Sequence, residues 1–202
     1  VPYEMNVSYL SAIANPALPD EQRARIFLAS QSVLLAFRGV PALYYHSVVG
    51  SQNWLEGLEQ TGRNRTINRK KLAYEDLVTE LHSGESIRGA VFQGIRRMLA
   101  ARQGNNAFHP TSPQDVLEGN PAVIAILRRP HASTVGFPVL CLASVSSEEA
   151  EFHFSGSHLG GGPAFRDLIS GDRVLPVPEG HDRYSIQLAP WEVLWLTSLA
   201  VE

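Results

Sequence analysis

Between Pro19 and Gly39, apolar residues recur at helical spacing, with Ile26, Val33, Leu34 and Phe37 marking the stripe. Pro19, Asp20 and Glu21 suit the positive N-terminus of such a helix, and Arg38 and Gly39 suit its end. The next run, VPALYYHSVVG from Val40 to Gly50, is rich in valine and tyrosine and apolar on both faces. That pattern predicts a strand buried in a parallel sheet. From Ser51 to about Lys71 no period holds, and a loop of this length in a compact domain tends to be functional or mobile. Helical period returns in ESIRGAVFQGIRRMLAARQG through Ile87, Val91, Ile95, Met98 and Leu99, with Gly104 as the stop.

The pattern then changes. NNAFHPTSPQDVLEGNP is polar, holds three prolines and reads as a connector. After it come short runs separated by glycine and proline: AVIAILRRP, FPVLCLASV, EAEFHFSG, FRDLISGDRV, DRYSIQLAP and WEVLWLTSL. EFHF and YSIQL alternate polar with apolar, as half-buried strands do. The series predicts a small antiparallel β domain. The expected organisation is an α/β portion over residues 1–105, a linker over 106–119 and an all-β domain over 120–202. One buried strand between two helices is a piece of a parallel sheet, since it needs neighbours on both edges. The chain is therefore expected to be part of a longer protein.

Charge adds little to this and excludes some partners. The 202 residues carry 17 basic and 20 acidic side chains, a formal net charge of −3, so the chain as a whole is not a polyanion binder. No apolar run approaches the ~20 residues of a membrane span, and VPYEMN does not open a secretory signal. The single cysteine, Cys141, sits in an apolar strand-like run and reads as a buried thiol. These features fit a cytoplasmic setting. The histidines show no His-Glu-x-x-His spacing and there is no Cys-x-x-Cys, so no catalytic metal is expected. HLGGGP lacks the Gly-Lys-Ser/Thr ending of a phosphate loop and reads as a turn. Trp191 and Trp195, four apart on a presumed strand, would share a face and pack in the core.

The exception to the mild charge balance is TGRNRTINRKK, where Arg63, Arg65, Arg69, Lys70 and Lys71 crowd into one segment. Patterning alone reads it as a solvated face. It lacks the interleaved aromatics of a single-strand nucleic-acid site. His46, at the end of the presumed strand, reads on its own as a hydrogen-bonded core histidine.

Four segments, PYEMNVSYLSAI, FRGVPALYYHSVVGS, TGRNRTINRKKL and DLISGD…LAPWEVLWL, in that order resemble the sucrose phosphorylase branch of the α-amylase superfamily. Glucosylglycerate and sucrose-6-phosphate phosphorylases are its close relatives. The resemblance implies the last elements of a (β/α)8 barrel: helix seven, strand eight at about Val40 to His46, and helix eight. A small antiparallel β domain would follow them. Barrel sites lie at the C-terminal ends of the strands. Tyr3, Glu4 and Asn6 would then sit in the loop after strand seven, and the basic segment in the loop after strand eight. In such retaining enzymes two carboxylates do the chemistry, and the resemblance places both before Val1, so that no catalytic residue is expected in this chain. NRTINR resembles the segment whose first arginine lies in the glucose subsite, which maps to Arg65, with Asn64 beside it. The implied reaction is reversible phosphorolysis of an α-glucoside to α-glucose 1-phosphate. Inorganic phosphate is then the co-substrate and no cofactor is needed. Thr66 stands where sucrose phosphorylases have aspartate, and Glu4 where they have glutamine. The Pro-Tyr-Glu form is nearer to the relatives that act on glucosylglycerate or phosphorylated sucrose. An anionic acceptor would suit Arg63 or His46. A hydrolase or transglucosidase on the same scaffold, or a non-catalytic carbohydrate-binding module, is the alternative. The missing barrel portion is the expected partner, and without it self-association is expected.

Overall fold

The computed structural model describes residues 5–162 and 164–199. They fall into two compact units, residues 1–28 with 42–95, and residues 29–41 with 96–202. Helices α2 (Asp20–Ala36) and α6 (Ile87–Gln103) each contribute one half to each unit.

The first unit is helical among its described residues. It holds α1 (Tyr9–Ile13), α3 (Tyr45–Val48), α4 (Leu55–Thr61), a 3-10 segment Asn64–Asn68 and α5 (Tyr74–His82), besides the leading halves of α2 and α6. Leu10, Ala24, Phe27, Val49, Ile87, Val91 and Ile95 are among its buried apolar residues. Tyr9 packs edge-on to Phe27 at 5.8 Å. Gly50 has φ 58°, a left-handed backbone that favours glycine, and a Cβ there would sit tightly, 3.2 Å from Val91 Cβ.

The expected strand at Val40–His46 is not a paired strand. Residues 40–44 carry no regular structure, Tyr44 is extended (φ −76°, ψ 134°), and Tyr45–Val48 form one helical turn. The residues have strand propensity, but no strand among the described residues pairs with them, and extended backbone becomes a strand only by pairing. The stretch expected to be irregular, 51–71, contains α4 and the 3-10 segment.

The second unit is antiparallel throughout. One sheet runs β1-β2-β3-β9-β5-β6 and the other β4-β8-β7. The strands are β1 (Gln114–Leu117), β2 (Val123–Arg128), β3 (Val139–Ser144), β4 (Ala150–Ser155), β5 (Phe165–Asp167), β6 (Arg173–Val174), β7 (Val177–Gly180), β8 (Arg183–Leu188) and β9 (Val193–Ser198). Leu140, Leu142 and Leu196 of the first sheet and Phe152, Phe154, Ile186 and Leu188 of the second build the core. β3 is buried at all six positions. Its other face, at Cys141 and Ala143, lines one crevice with Ile126, Trp195 and Ser32, Val33 and Ala36 of α2. A strand covered on both sides has no reason to alternate, which is why VLCLAS reads as a continuous apolar run.

Two arginines close the end of α2. Arg102 donates to the carbonyls of Leu35, Phe37 and Gly39, and Arg128 to those of Ala36 at 2.9 Å and His109 at 3.1 Å. The last carbonyls of a helix lack partners within it, and cations favour that end. Both guanidinium groups also lie over the Phe108 ring, at 5.5 and 5.7 Å.

Trp195 is fully buried on β9, with Phe108 at 4.7 Å. Trp191 does not share its face, because it lies in the turn before β9 with φ 59°. In the same region Asp167, 3% exposed, accepts the backbone N–H of Trp195 at 2.8 Å, Ser170 at 2.9 Å and Ile169 at 3.3 Å. That carboxylate turns DLISGD and pins β5 to β9.

Candidate functional site

Two of the segments that stood out in the sequence, VSYLSAI and TGRNRTINRKKL, are joined in the first unit through the loop after α3. Ser8 caps α1 by accepting from Ser11 N at 3.3 Å. Its own N–H donates to Asn53 Oδ1 at 2.7 Å, and Asn53 N–H donates to Ser11 Oγ at 3.0 Å. This reciprocal pair ties the loop after α3 to the N-terminal segment. Asn68 Nδ2 adds a contact to the Val7 carbonyl at 3.4 Å. Trp54 N–H donates to the Ile67 carbonyl at 2.7 Å. Residues 6–8, 53–54 and 67–68 are thus stitched together. Asn6 Oδ1 and Asn68 Oδ1 are buried there without a hydrogen-bond partner, and such acceptors carry an unrelieved desolvation cost. Tyr3 and Glu4 lie outside the described residues.

The basic segment is built as a turn on that seam. α4 ends at Gly62, which takes the left-handed conformation (φ 62°) and donates to Leu58 O at 2.8 Å. Arg63 then opens the 3-10 segment, whose first turn closes through Thr66 N–H to Arg63 O at 2.9 Å. Thr66 Oγ1 meets Thr61 Oγ1 at 2.9 Å, so the residue that departs from the sucrose phosphorylase pattern serves here as a local brace. Thr66, Ile67 and Asn68 turn partly inward, while Arg63, Asn64, Arg65, Arg69, Lys70 and Lys71 are exposed. The outcome is a cationic rim anchored by a neutral base.

His46 belongs to a separate network. It is buried, with Nε2 at 2.6 Å from Tyr45 Oη and Nδ1 at 2.8 Å from Ser51 Oγ. Arg88 reaches Ser51 Oγ at 3.2 Å and the Val49 carbonyl at 2.8 Å, and pairs with Glu80. Burial, and then the Arg88 charge, hold the imidazole below its ordinary range. It is therefore neutral at neutral pH, with both nitrogens engaged. Its evident task is to fix Tyr45, whose ring is half exposed and packs edge-on to Tyr44 at 5.3 Å. Sequence reasoning missed Asn53, Ser51 and Arg88. None stands in a recognisable motif, and their roles depend on partners 5 to 45 residues away.

No family model matches the chain. It is 50% identical over 200 residues to a glucosylglycerate phosphorylase of Spirochaeta thermophila, covering 98% of this chain and 34% of that protein. It is 34% identical over 195 residues to a glucosylglycerate phosphorylase of Escherichia coli, covering 96% of this chain and 32% of that one. Among solved structures, an Anoxybacillus α-amylase superposes with TM-score 0.61 at 13% identity, covering 96% of this chain and 37% of that one, a likeness of fold. The chain spans about a third of the length of the curated relatives it matches.

Proposed function

Because the chain matches the C-terminal third of sucrose-phosphorylase-like enzymes of the α-amylase superfamily, we propose that it is the C-terminal portion of a retaining α-glucoside phosphorylase. The parent enzyme exchanges a glucosyl group between an α-glucoside and inorganic phosphate, giving α-glucose 1-phosphate. The observation that carries this reading is the 50% identity to a glucosylglycerate phosphorylase, sustained along 98% of the chain. The catalytic carboxylates come from the preceding part of the enzyme, and this chain supplies one wall of the substrate site.

On that wall Arg65 holds the glucosyl unit, since a guanidinium fork can pair with a carboxylate and still donate to a sugar hydroxyl. Arg63 and Asn64 stand beside it on the same exposed rim. An acceptor with a carboxylate, such as glycerate, fits a rim of fixed cations better than neutral fructose does. His46 has both nitrogens engaged and its charge suppressed, so it serves the site by positioning Tyr45. Arg63 is then the cation for an anionic acceptor. Tyr3, Glu4 and Asn6 complete the acceptor side.

The test is phosphate-dependent release of glucose 1-phosphate by the full-length enzyme, offered glucosylglycerate, sucrose and sucrose 6-phosphate in turn. Turnover of glucosylglycerate is expected, and Arg63→Ala should raise the KM for that substrate far more than for a neutral glucoside. Glucose release without phosphate would replace the reading with a hydrolase. No turnover, with glycan binding by the β domain alone, would replace it with a binding module. The 202-residue chain by itself should be inactive, and turnover by it would overturn the placement of the carboxylates upstream. In the first unit Met5, Tyr44, Tyr45 and Leu55 are exposed apolar residues. The rest of the barrel covers them in this reading, and the isolated chain is expected to self-associate in sedimentation.

A further inference from the structure

The outer face of the three-stranded sheet carries a side-chain cluster with no part in the site above. Glu151 and His153 alternate outward from β4 with His153 opposite Ser185 of β8, itself opposite Val177 of β7. The register of β7 slips between Pro178 and Gly180, and Glu179 sits at that irregularity. Such irregularities re-aim a side chain, and here Glu179 Oε2 reaches His153 Nδ1 at 2.9 Å. Glu151 Oε2 lies 3.7 Å from the other ring nitrogen, Nε2.

These two distances differ in kind. The first is a hydrogen bond, and because a carboxylate accepts, Nδ1 carries the proton. In the neutral ring Nε2 then presents a lone pair to the carboxylate of Glu151. Two lone-pair donors facing each other repel unless a cation stands between them. At 3.7 Å they are too far apart for a good direct hydrogen bond. They are close to the separation of about 3.3–3.5 Å between two ligands of a tetrahedral zinc ion with bonds near 2.0–2.1 Å. A carboxylate bonded to the far nitrogen of a ligating histidine is the usual support of such a site. Glu179 fills that place, with its charge shared with Arg183 Nε at 3.1 Å. One depression is lined by Glu151, His153 and Asn120, and also by Arg183, whose guanidinium already pairs with Glu179.

We infer that His153 Nε2 and Glu151 form a surface site for a borderline transition-metal cation such as Zn2+, with Glu179 orienting the ring from behind. The site lies on the β domain and takes no part in glucosyl transfer. Zn2+ titrated calorimetrically into the 202-residue chain should show a saturable component. Long-range 1H–15N correlation should place its largest ring shift on His153 Nε2. His153→Ala should abolish that component and Glu151→Gln should weaken it at least about tenfold. Glu179→Gln should weaken it about 10–100-fold without contact to the metal. Replacing His109, which is not in the cluster, should leave it unchanged. The side chain of His153 is 40% exposed, so these variants should fold, which circular dichroism would check. An isotherm that His153→Ala leaves intact would overturn the inference. So would a shift confined to Nδ1, or a ring that answers to added acid but not to Zn2+. The last result would make a second proton the cation between Nε2 and Glu151.

Discussion

Asp167→Asn replaces one oxygen by an amide nitrogen and changes little in volume. The carboxylate is 3% exposed and accepts three backbone N–H groups, with Oδ1 serving Trp195 and Ile169 and Oδ2 serving Ser170. An asparagine that keeps its oxygen toward Trp195 must point its NH2 at the Ser170 N–H, donor against donor. Flipping the amide moves the conflict to Trp195. Either way one charge-assisted bond, about 1.5–3 kcal/mol, is lost, and a buried donor is left at a cost of about 1–3 kcal/mol. These overlap in part, so a loss of about 2–4 kcal/mol is expected. At about 2–4 °C per kcal/mol for a chain of this size, Tm should fall by roughly 4–16 °C. Urea unfolding followed by tryptophan fluorescence is the assay, because Trp195 is fully buried and shares the β9 register with this bond. A midpoint shift worth less than about 0.5 kcal/mol at unchanged m-value would refute the reasoning. The carboxylate would then not be what joins the DLISGD turn to β9.

Two other perturbations test the electrostatics. Burial and the Arg102 charge push the Arg128 guanidinium down to about 10, a charging cost of about 3 kcal/mol. Arg128→Met removes that cost but strands the carbonyl of Ala36, at about 1–3 kcal/mol, while the His109 carbonyl keeps the Ser112 N–H at 2.9 Å. The two nearly cancel, so denaturant unfolding should show a change within about 2 kcal/mol, and a loss above about 4 would refute the account. For His46 the folded imidazole titrates below its unfolded value near 6.5. The unfolded chain therefore binds more protons in that window, and stability falls on acidification below about 6.5 and is fully present above it. His46→Gln should flatten this dependence in pH-resolved thermal melts, and an unchanged slope would show that another group carries it.

Where pattern and packing agree, the elements were legible. β2, β3, β4, β8 and β9 stand where their apolar runs predicted, and α2 and α6 where helical period did. β1 and β7 were not legible, because QDVL and VPEG are exposed edge strands whose residues carry no apolar period and, in β7, a proline. The error at Val40–His46 has the opposite cause. The side chains favour a strand, but pairing is non-local, and no pattern within the run supplies a partner. At the site, the cluster of cations could be read from TGRNRTINRKK. The neutral seam beneath it could not, since Asn53 and Asn68 act through atoms 45 and 61 residues away. Nor could the masking of His46, which requires Ser51 and Arg88 to converge on it.

The double burial of β3 gives the protein a reporter of its own opening. Cys141 is the chain's single cysteine, lies at the middle of that strand, and has a thiol that burial holds well above its ordinary range. An alkylating reagent needs the thiolate and a path to it, and neither exists until β3 parts from its cover. Labelling of the native protein therefore counts excursions of the sheet, one modified sulfur per opening that lasts long enough to be caught. In the regime of fast reclosing its rate measures the opening equilibrium without denaturant. The same mass shift, followed in a variant such as Asp167→Asn, reads how far a strained turn loosens the centre of the domain.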